Sequence, residues 1–350
     1  MGRGTGESCG ALKFEASFIQ SEEHRPKRIS ASPDNNVKIP VIDLEKSSTE
    51  DVEKACREWG FFHLINHDFP EHLLHRLESV AADFFSLPLE EKRQVSKDAK
   101  NSLGYFNSEH TKNVRDWKEV FDFAPREKIL LPTSADLHDT VAEAIKNRWP
   151  DGLPDFREAC LAYAEAARDL SLRLLELIAR SLGLPDTRLH EYFIDDMSIA
   201  RLNSYPECPN PELALGVGRH KDVGVLTLLY QDEVGGLEVK CKDNGQWVPA
   251  QPIPNSFVVN VGDCMQVWSN DRYESIEHRV VVNDSRRRLS IPFFLIPSHY
   301  AMLKPLEELV SEENPPKYRE YNWGKFTKLR VDGDFKNLGV EDVQIDHIRI

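Results

Sequence analysis

The rhythm of apolar and polar positions changes along this chain, and each change predicts an element. Residues 1–37 are rich in Gly, Ser, Glu and Lys and are expected to form a poorly ordered tail. Ile39-Pro40-Val41-Ile42-Asp43-Leu44 alternates apolar and polar and predicts a first strand. From Ser48 a helix is expected. Ser48 or Thr49 can cap it, Glu50, Asp51 and Glu53 suit its positive N-terminal end, Val52, Cys56 and Trp59 share a face, and Gly60 stops it. Phe61–Asn66 then reads as a strand. Pro70 opens a helix through Leu73, Leu77, Val80, Ala81, Phe84 and Phe85, with Pro88 marking its end. The aromatics between Asn101 and Pro132, Tyr105, Trp117, Phe121 and Phe123, are too many for a solvated linker and predict loops and strands packed on a core or a pocket. From Pro154 to Leu182 apolar positions recur every three or four residues, predicting the longest helix, ended by Gly183 and Pro185.

Beyond Ile199 the texture becomes short β-rich runs divided by Gly, Pro, Asn and Asp. They are Ile199–Ser204, Val225–Tyr230, Leu237–Lys240, Trp247–Pro249, Ser256–Val261, His278–Asn283 and Leu289–Ile296. Such spacing predicts a sandwich or barrel. From Pro305 to Ile350 charges alternate with Tyr318, Tyr321, Trp323, Phe326 and Phe335, and helices laid over the β core are expected. The fold class is therefore mainly β with flanking helices. Residues 38–195 form a mixed helical region, 196–300 the β core and 301–350 a C-terminal cover, all in one unit.

Composition narrows the function classes. With 350 residues the chain can bury a sizeable core, and its net charge of −14 would be repelled by nucleic acid or an anionic membrane. A small-molecule substrate is the expected partner, with no nucleic acid, no membrane and a monomeric state. The six cysteines include no Cys-x-x-Cys pair, which points to reduced thiols in a cytoplasmic protein rather than to zinc or disulfides. No apolar run approaches the roughly 20 residues that a membrane span needs.

Three stretches carry candidate chemistry. In Arg219-His220-Lys221-Asp222, an extended backbone would point His220 and Asp222 the same way, so that both could bind one ion, with Lys221 pointing oppositely. A third ligand is available in His278, and two imidazoles with one carboxylate suit non-haem Fe(II) while leaving coordination positions open. Arg288 and Ser290 alternate onto one strand face, where a guanidinium fork and a hydroxyl can grip a carboxylate. Arg201, Asn203 and Tyr205 likewise share a face, and three such polar groups would be costly in a core unless they bind something or face solvent.

Taken together, Asn203-x-Tyr205-Pro206-x-Cys208-Pro209-x-Pro211, His220-x-Asp222, His278-Arg279 and Arg288-x-Ser290 resemble the signature of the plant-type Fe(II)- and 2-oxoglutarate-dependent dioxygenases. Trp59-Gly60-Phe61-Phe62 with Asn66-His67 resembles that family's N-terminal motif, apart from Asp68, which stands where glycine is usual. If that position needs a positive φ, aspartate tolerates it better than most residues. The resemblance implies a double-stranded β-helix, a distorted jelly roll, with iron on His220, Asp222 and His278. It also implies 2-oxoglutarate held by Arg288 and Ser290, close to Asn203 and Tyr205. Phe294 is the substrate residue it implies, and Tyr105, Phe121, Phe123, Arg201 and Ile296 are further pocket candidates.

The implied reaction consumes O2 and 2-oxoglutarate, releases succinate and CO2, and hydroxylates a small plant metabolite, with ascorbate as reductant. A flavonoid, another phenolic, a hormone or an alkaloid are the substrate classes implied. Desaturation or O-demethylation could use the same iron, and a non-catalytic 2-oxoglutarate-binding regulator is the alternative of another class. Gly216-Val217-Gly218 lacks the third glycine of a dinucleotide loop, Gly235-Gly236 reads as a turn, and Cys208 reads as structural.

Overall fold

A computed structural model describes residues 12–26, 37–334 and 344–350. The N-terminal helices follow their local signals. In α1 (Thr49–Glu58) the Ser48 hydroxyl accepts from the Asp51 amide while the Asp51 carboxylate accepts from the Ser48 amide, a reciprocal cap. Gly60 ends the turn with φ +64°, and a Cβ there would stand 2.6 Å from the Glu274 carbonyl oxygen. Then come α2 (Glu71–Ser86), the short α3 (Leu89–Arg93) and the long α4 (Pro154–Ser181). Later helices are α5 (Asp263–Trp268) and α6 (Trp323–Asp334).

Twelve strands make the two facing sheets. In chain order they are β1 (Val41–Asp43), β2 (Phe61–Ile65), β3 (Gly104–Phe106), β4 (Glu119–Phe123), β5 (Ile199–Tyr205) and β6 (Leu215–His220). They continue with β7 (Leu226–Gln231), β8 (Leu237–Lys240), β9 (Trp247–Pro249), β10 (Phe257–Val261), β11 (His278–Val281) and β12 (Arg288–Leu295). The larger sheet runs β1-β2-β10-β7-β12-β5-β4-β3 and the smaller β6-β11-β8-β9. Apart from the parallel β1–β2 pair, neighbours are antiparallel.

The period-2 alternation of the larger sheet divides its side chains between two interiors. Phe62, Leu64, Ala200, Leu202, Leu226, Leu228, Phe257, Val259, Ile291 and Phe293 point to one face and pack with α1, α2 and α4. Phe61, Tyr205 and Val258 point to the other and pack against Val217, Leu237, Val239, Val248 and Val280 of the smaller sheet. That second interior, between the sheets, is where polar side chains of β5 and β12 also point. The Tyr163 hydroxyl of α4 donates to the Ile291 carbonyl at 3.0 Å, tying the long helix to the outer face of β12.

The mainly β architecture with flanking helices matches expectation, and three local features differ. The first 37 residues were expected to be a loose tail. Residues 12–26 of that stretch are packed, with Phe18 fully buried, while 1–11 and 27–36 lie outside the described residues. An extended backbone was expected around His220 but not a strand from Leu215, whose two glycines hide it, and strands were expected before Pro132 but not the hairpin that pairs Lys128–Pro132 with Ala142–Lys146. Gly216 lies on β6 because a Cβ there would meet the Tyr205 ring at 2.6 Å. In the C-terminal region α6 is the only α-helix among the described residues, flanked by the 3-10 turns Glu307–Leu309 and Ile345–Ile348, and Phe335 lies outside them. Asp68 has φ +57°, a left-handed conformation in which aspartate replaces glycine at low cost.

Candidate metal centre and cavities

His220 is the last residue of β6 and pairs directly with His278, the first residue of β11. Their ring centroids are 4.2 Å apart. The His220 Nδ1 lies 2.9 Å from the Gly218 carbonyl oxygen and the His278 Nδ1 lies 3.1 Å from the Ile276 carbonyl oxygen. A carbonyl can only accept, so each Nδ1 carries the proton and each Nε2 keeps a free lone pair. Burial lowers the His278 pKa to about 4, with His220 adding to the effect, which keeps this imidazole in the neutral form that binds metals.

Asp222 lies just past the end of β6, and its Oδ1 is 3.6 Å from both Nε2 atoms. Its Oδ2 is engaged instead by the Thr227 hydroxyl at 2.6 Å and the Asn260 amide at 2.8 Å. Thr227 and Asn260 are cross-strand partners of β7 and β10. Burial pushes the Asp222 carboxyl up, and the adjacent His278 and His220 with the Thr227 hydroxyl outweigh it, so the group stays ionised. One carboxylate oxygen and two imidazole nitrogens thus converge without partners of their own, within 4.8 Å of one another.

Deeper between the sheets lies a cavity of about 70 Å³. Arg288, 2% exposed, donates from Nη2 to Gln231 at 3.1 Å and has its guanidinium 4.9 Å from the Tyr205 ring centroid. Its Nε and Nη1 are buried with no hydrogen-bond partner. Register explains the grouping, since Arg288 pairs with Tyr205 and Ser290 with Asn203 across β12 and β5. A buried guanidinium with two idle donors is costly unless an anion completes it.

A larger cavity of about 420 Å³ opens on the other side of the histidines and shares Lys118, Arg201, Val217, His220, Asp222 and Phe294 with the inner one. The two cations that it shares with the inner cavity are tightly paired. Lys118 Nζ is 2.7 Å from Glu109 and 3.4 Å from Asp116. Arg201 clasps Asp122 at 2.6 and 2.9 Å and reaches Glu109 at 2.9 Å. Burial raises the Glu109 carboxyl, but Arg201, Lys118 and Lys97 more than offset it and hold it well below the usual range.

The structure brings His220, Asp222, His278, Asn203, Tyr205, Arg288, Ser290 and Phe294 around the inner cavity and Ile296 to the outer one. Arg201 lines both, with its guanidinium committed to Asp122 and Glu109. Tyr105, Phe121 and Phe123 do not reach either cavity. Tyr105 and Phe121 are register partners on the helix side of the sheet, and Phe123 follows by parity, whereas Asp122 between them faces Arg201. Sequence reasoning missed Thr227, Asn260, Gln231 and Lys118. Thr227 in Leu-Thr-Leu and Asn260 in Val-Asn-Val are lone polar residues inside apolar strands, and that was their available signal.

Comparison with known proteins converges on one group. Residues 196–297 match the 2OG-Fe(II) oxygenase superfamily and residues 39–152 the non-haem dioxygenase in morphine synthesis N-terminal family. Feruloyl CoA ortho-hydroxylase 2 of Arabidopsis thaliana is 36% identical over 321 residues, 89% of this chain and 84% of that protein. Gibberellin 20 oxidase 3 of Arabidopsis thaliana is 36% identical, covering 93% of this chain and 90% of that protein. The chain belongs to the 2OG-Fe(II) oxygenase superfamily. The crystal structure of JOX2 in complex with 2OG, Fe and JA superposes with a TM-score of 0.77 at 31% identity, covering 93% of this chain and 90% of that one. The oxygenase is accordingly a dioxygenase that uses Fe(II) and 2-oxoglutarate, built on a jelly-roll core. Its unpartnered groups fit both: neutral imidazoles and a carboxylate oxygen suit a divalent ion, and the idle Arg288 donors suit an organic carboxylate.

Proposed function

We propose that His220, Asp222 and His278 hold Fe(II), and that Arg288 and Ser290 hold the distal carboxylate of 2-oxoglutarate, with Asn203 and Tyr205 beside it. The observation that carries this reading is the Asp222 carboxylate, with Oδ2 fixed by Thr227 and Asn260 and Oδ1 aimed at two free Nε2 atoms. With O2, the bound Fe(II) and 2-oxoglutarate supply the oxidising power, giving succinate, CO2 and a hydroxylated substrate.

The chain's own residues bind, orient and shield. Gly218 and Ile276 fix the imidazole tautomers, and Arg288 orients the co-substrate from the floor of the inner cavity. Val217 and Phe294 stand where the two cavities meet and limit water between them. The outer cavity, about 420 Å³, suits one small metabolite. Relatives named for feruloyl CoA and gibberellin favour a plant phenolic or hormone as substrate. A flavonoid or an alkaloid belongs to the same proposal, as do a cytoplasmic, monomeric enzyme and ascorbate as reductant. Residues 38–195, 196–300 and 301–350 act as one unit in this reading.

The test is succinate release from 2-oxoglutarate across a panel of such metabolites. One substrate should stimulate it strongly in the native protein and not in Asp222→Ala. Undiminished stimulated turnover in Asp222→Ala would remove the metal assignment.

A further inference from the structure

His220 sits at a mechanically weak place. Strand β6 is the edge of the smaller sheet, and its ladder with β11 slips between Leu215 and Val217 and again between Val217 and His220. Each slip costs ladder hydrogen bonds, so the strand end bearing His220 needs outside support.

Part of that support comes from the segment beside it, where the Trp117 backbone N–H donates to the Leu215 carbonyl at 2.9 Å and the Asp116 carboxylate accepts from the Gly218 N–H at 2.9 Å. The part nearest His220 comes from residues 12–26, which precede both segments matched to known families. Phe18 packs edge-on against Trp117 with centroids 4.8 Å apart and lies 4.6 Å beneath the Arg115 guanidinium. The Gln20 backbone N–H donates to the Leu213 carbonyl at 2.9 Å, just ahead of β6. Six residues on from Phe18, His24 meets both histidine-bearing strands. Its Nε2 is 3.3 Å from the Nε of Arg219, the residue before His220, and its carbonyl accepts from Nη1 of Arg279, the residue after His278, at 3.4 Å. Arg219 in turn donates to Glu277, the residue before His278, at 2.8 Å. Glu277 is also held by Lys240 at 2.7 Å, and Arg279 by Glu238 at 2.7 Å.

We propose that residues 12–26 are a strap of the active unit, and that His24 is a positioning residue that clamps Arg219 and Arg279 and thereby holds His220 opposite His278 for the metal. This rests on the metal assignment made above. Partners directly bonded to metal ligands typically contribute 10- to 100-fold to affinity. His24 acts one contact further out, so its loss should cost less, on the order of fivefold.

Mn(II), a redox-inert probe, is titrated into the full-length protein and free Mn(II) followed by electron paramagnetic resonance, with amide hydrogen exchange of 215–220 and 278–281 measured in parallel. His24→Ala is expected to weaken Mn(II) roughly fivefold and speed exchange in those two strands. His24→Gln, whose amide oxygen can still accept from Arg219, should restore both. Phe18→Ala, which loosens the strap elsewhere, should reproduce the loss. Native affinity and native exchange in His24→Ala overturn the strap, as does a loss that Gln fails to rescue. Asp222→Ala separates the two readings. If it abolishes Mn(II) binding while His24→Ala does nothing, only the strap fails; if it leaves binding intact, the metal assignment fails and the strap with it.

Discussion

Thr227 and Asn260 face each other across β7 and β10, and both hydrogen-bond the same oxygen of Asp222. A cross-strand pair in the larger sheet thereby reaches over to fix a carboxylate that extends from the smaller one. The sheet that carries the helices sets the rotamer of a group on the sheet that carries the histidines. Without those two bonds Asp222 would be free to turn Oδ1 away from the imidazoles.

Removing that constraint should weaken the metal more than it weakens the fold. Asn260→Ala and Thr227→Val are each expected to lower Fe(II) affinity by roughly 10- to 100-fold. Anaerobic Fe(II) titration checks it. Because both residues hold one oxygen, the double variant should lose less than the product of the single losses. Full additivity would show that the two bonds act independently.

Arg288 offers the second expectation. Lysine at this position keeps the charge and loses the planar fork, so Arg288→Lys should raise the 2-oxoglutarate KM by about 10- to 100-fold, the weight of one or two charge-assisted hydrogen bonds. Because Nε and Nη1 are buried and idle, 2-oxoglutarate should also stabilise the native protein measurably, by about 2.7 kcal/mol at 100 times its Kd. Thermal unfolding with and without 2-oxoglutarate reads this directly, and the gain should shrink in Arg288→Lys at equal concentration.

The elements that could be read from sequence were those whose signal is local. The Ser48 cap, the spacing of α4 and the alternation of Arg288 with Ser290 and of Asn203 with Tyr205 each depend on near neighbours along the chain. Parity within β4 was equally legible, but which parity faces the cavity was not. That choice depends on β3 and β5 lying alongside, and it sent Phe121 and Phe123 to the helices and Asp122 to Arg201. The docking of Phe18 on Trp117 was invisible for a similar reason, since a few aromatics in a polar segment carry no period. Phe294→Ala should therefore alter substrate KM, whereas Phe121→Ala should cost about 3–5 kcal/mol of stability with little selective effect on KM. Urea unfolding beside substrate kinetics separates the two.

The buried ion cluster beside the outer cavity should be unforgiving. Asp122 is met by Arg201 and by Lys97 at 2.5 Å, and all three are largely withdrawn from water. Asp122→Ala leaves Arg201 and Lys97 to share Glu109, and breaking such a buried pair costs about 3–5 kcal/mol. Because Arg201 lines both cavities, its displacement should also raise substrate KM in the molecules that fold. A urea midpoint and a substrate KM both unchanged from the native protein would show that Arg201 and Lys97 find other partners.

Asp271 gives a pH dependence with a definite sign. Burial raises its carboxyl, but hydrogen bonds from Arg349, Tyr318 and Gln266 outweigh this and bring it to about 2, against an ordinary 3.8. A carboxyl lowered on folding stabilises the native state above its ordinary pKa, and that contribution fades as the pH falls from about 4 to about 2. Arg349 grips Asp271 at 2.9 and 3.0 Å and follows the turn Ile345–Ile348, whose Ile345 and Asp346 line the outer cavity. Asp271→Asn tolerates the left-handed backbone at φ +69° and removes the charge. It should be less stable than the native protein at neutral pH, with the difference shrinking between pH 4 and 2 in urea titrations. At neutral pH it should also raise substrate KM while leaving 2-oxoglutarate KM unchanged, because the released turn borders only the outer cavity. A constant stability difference across that window would mean that Arg349 is held through Tyr318 and Asp346 rather than through the Asp271 charge.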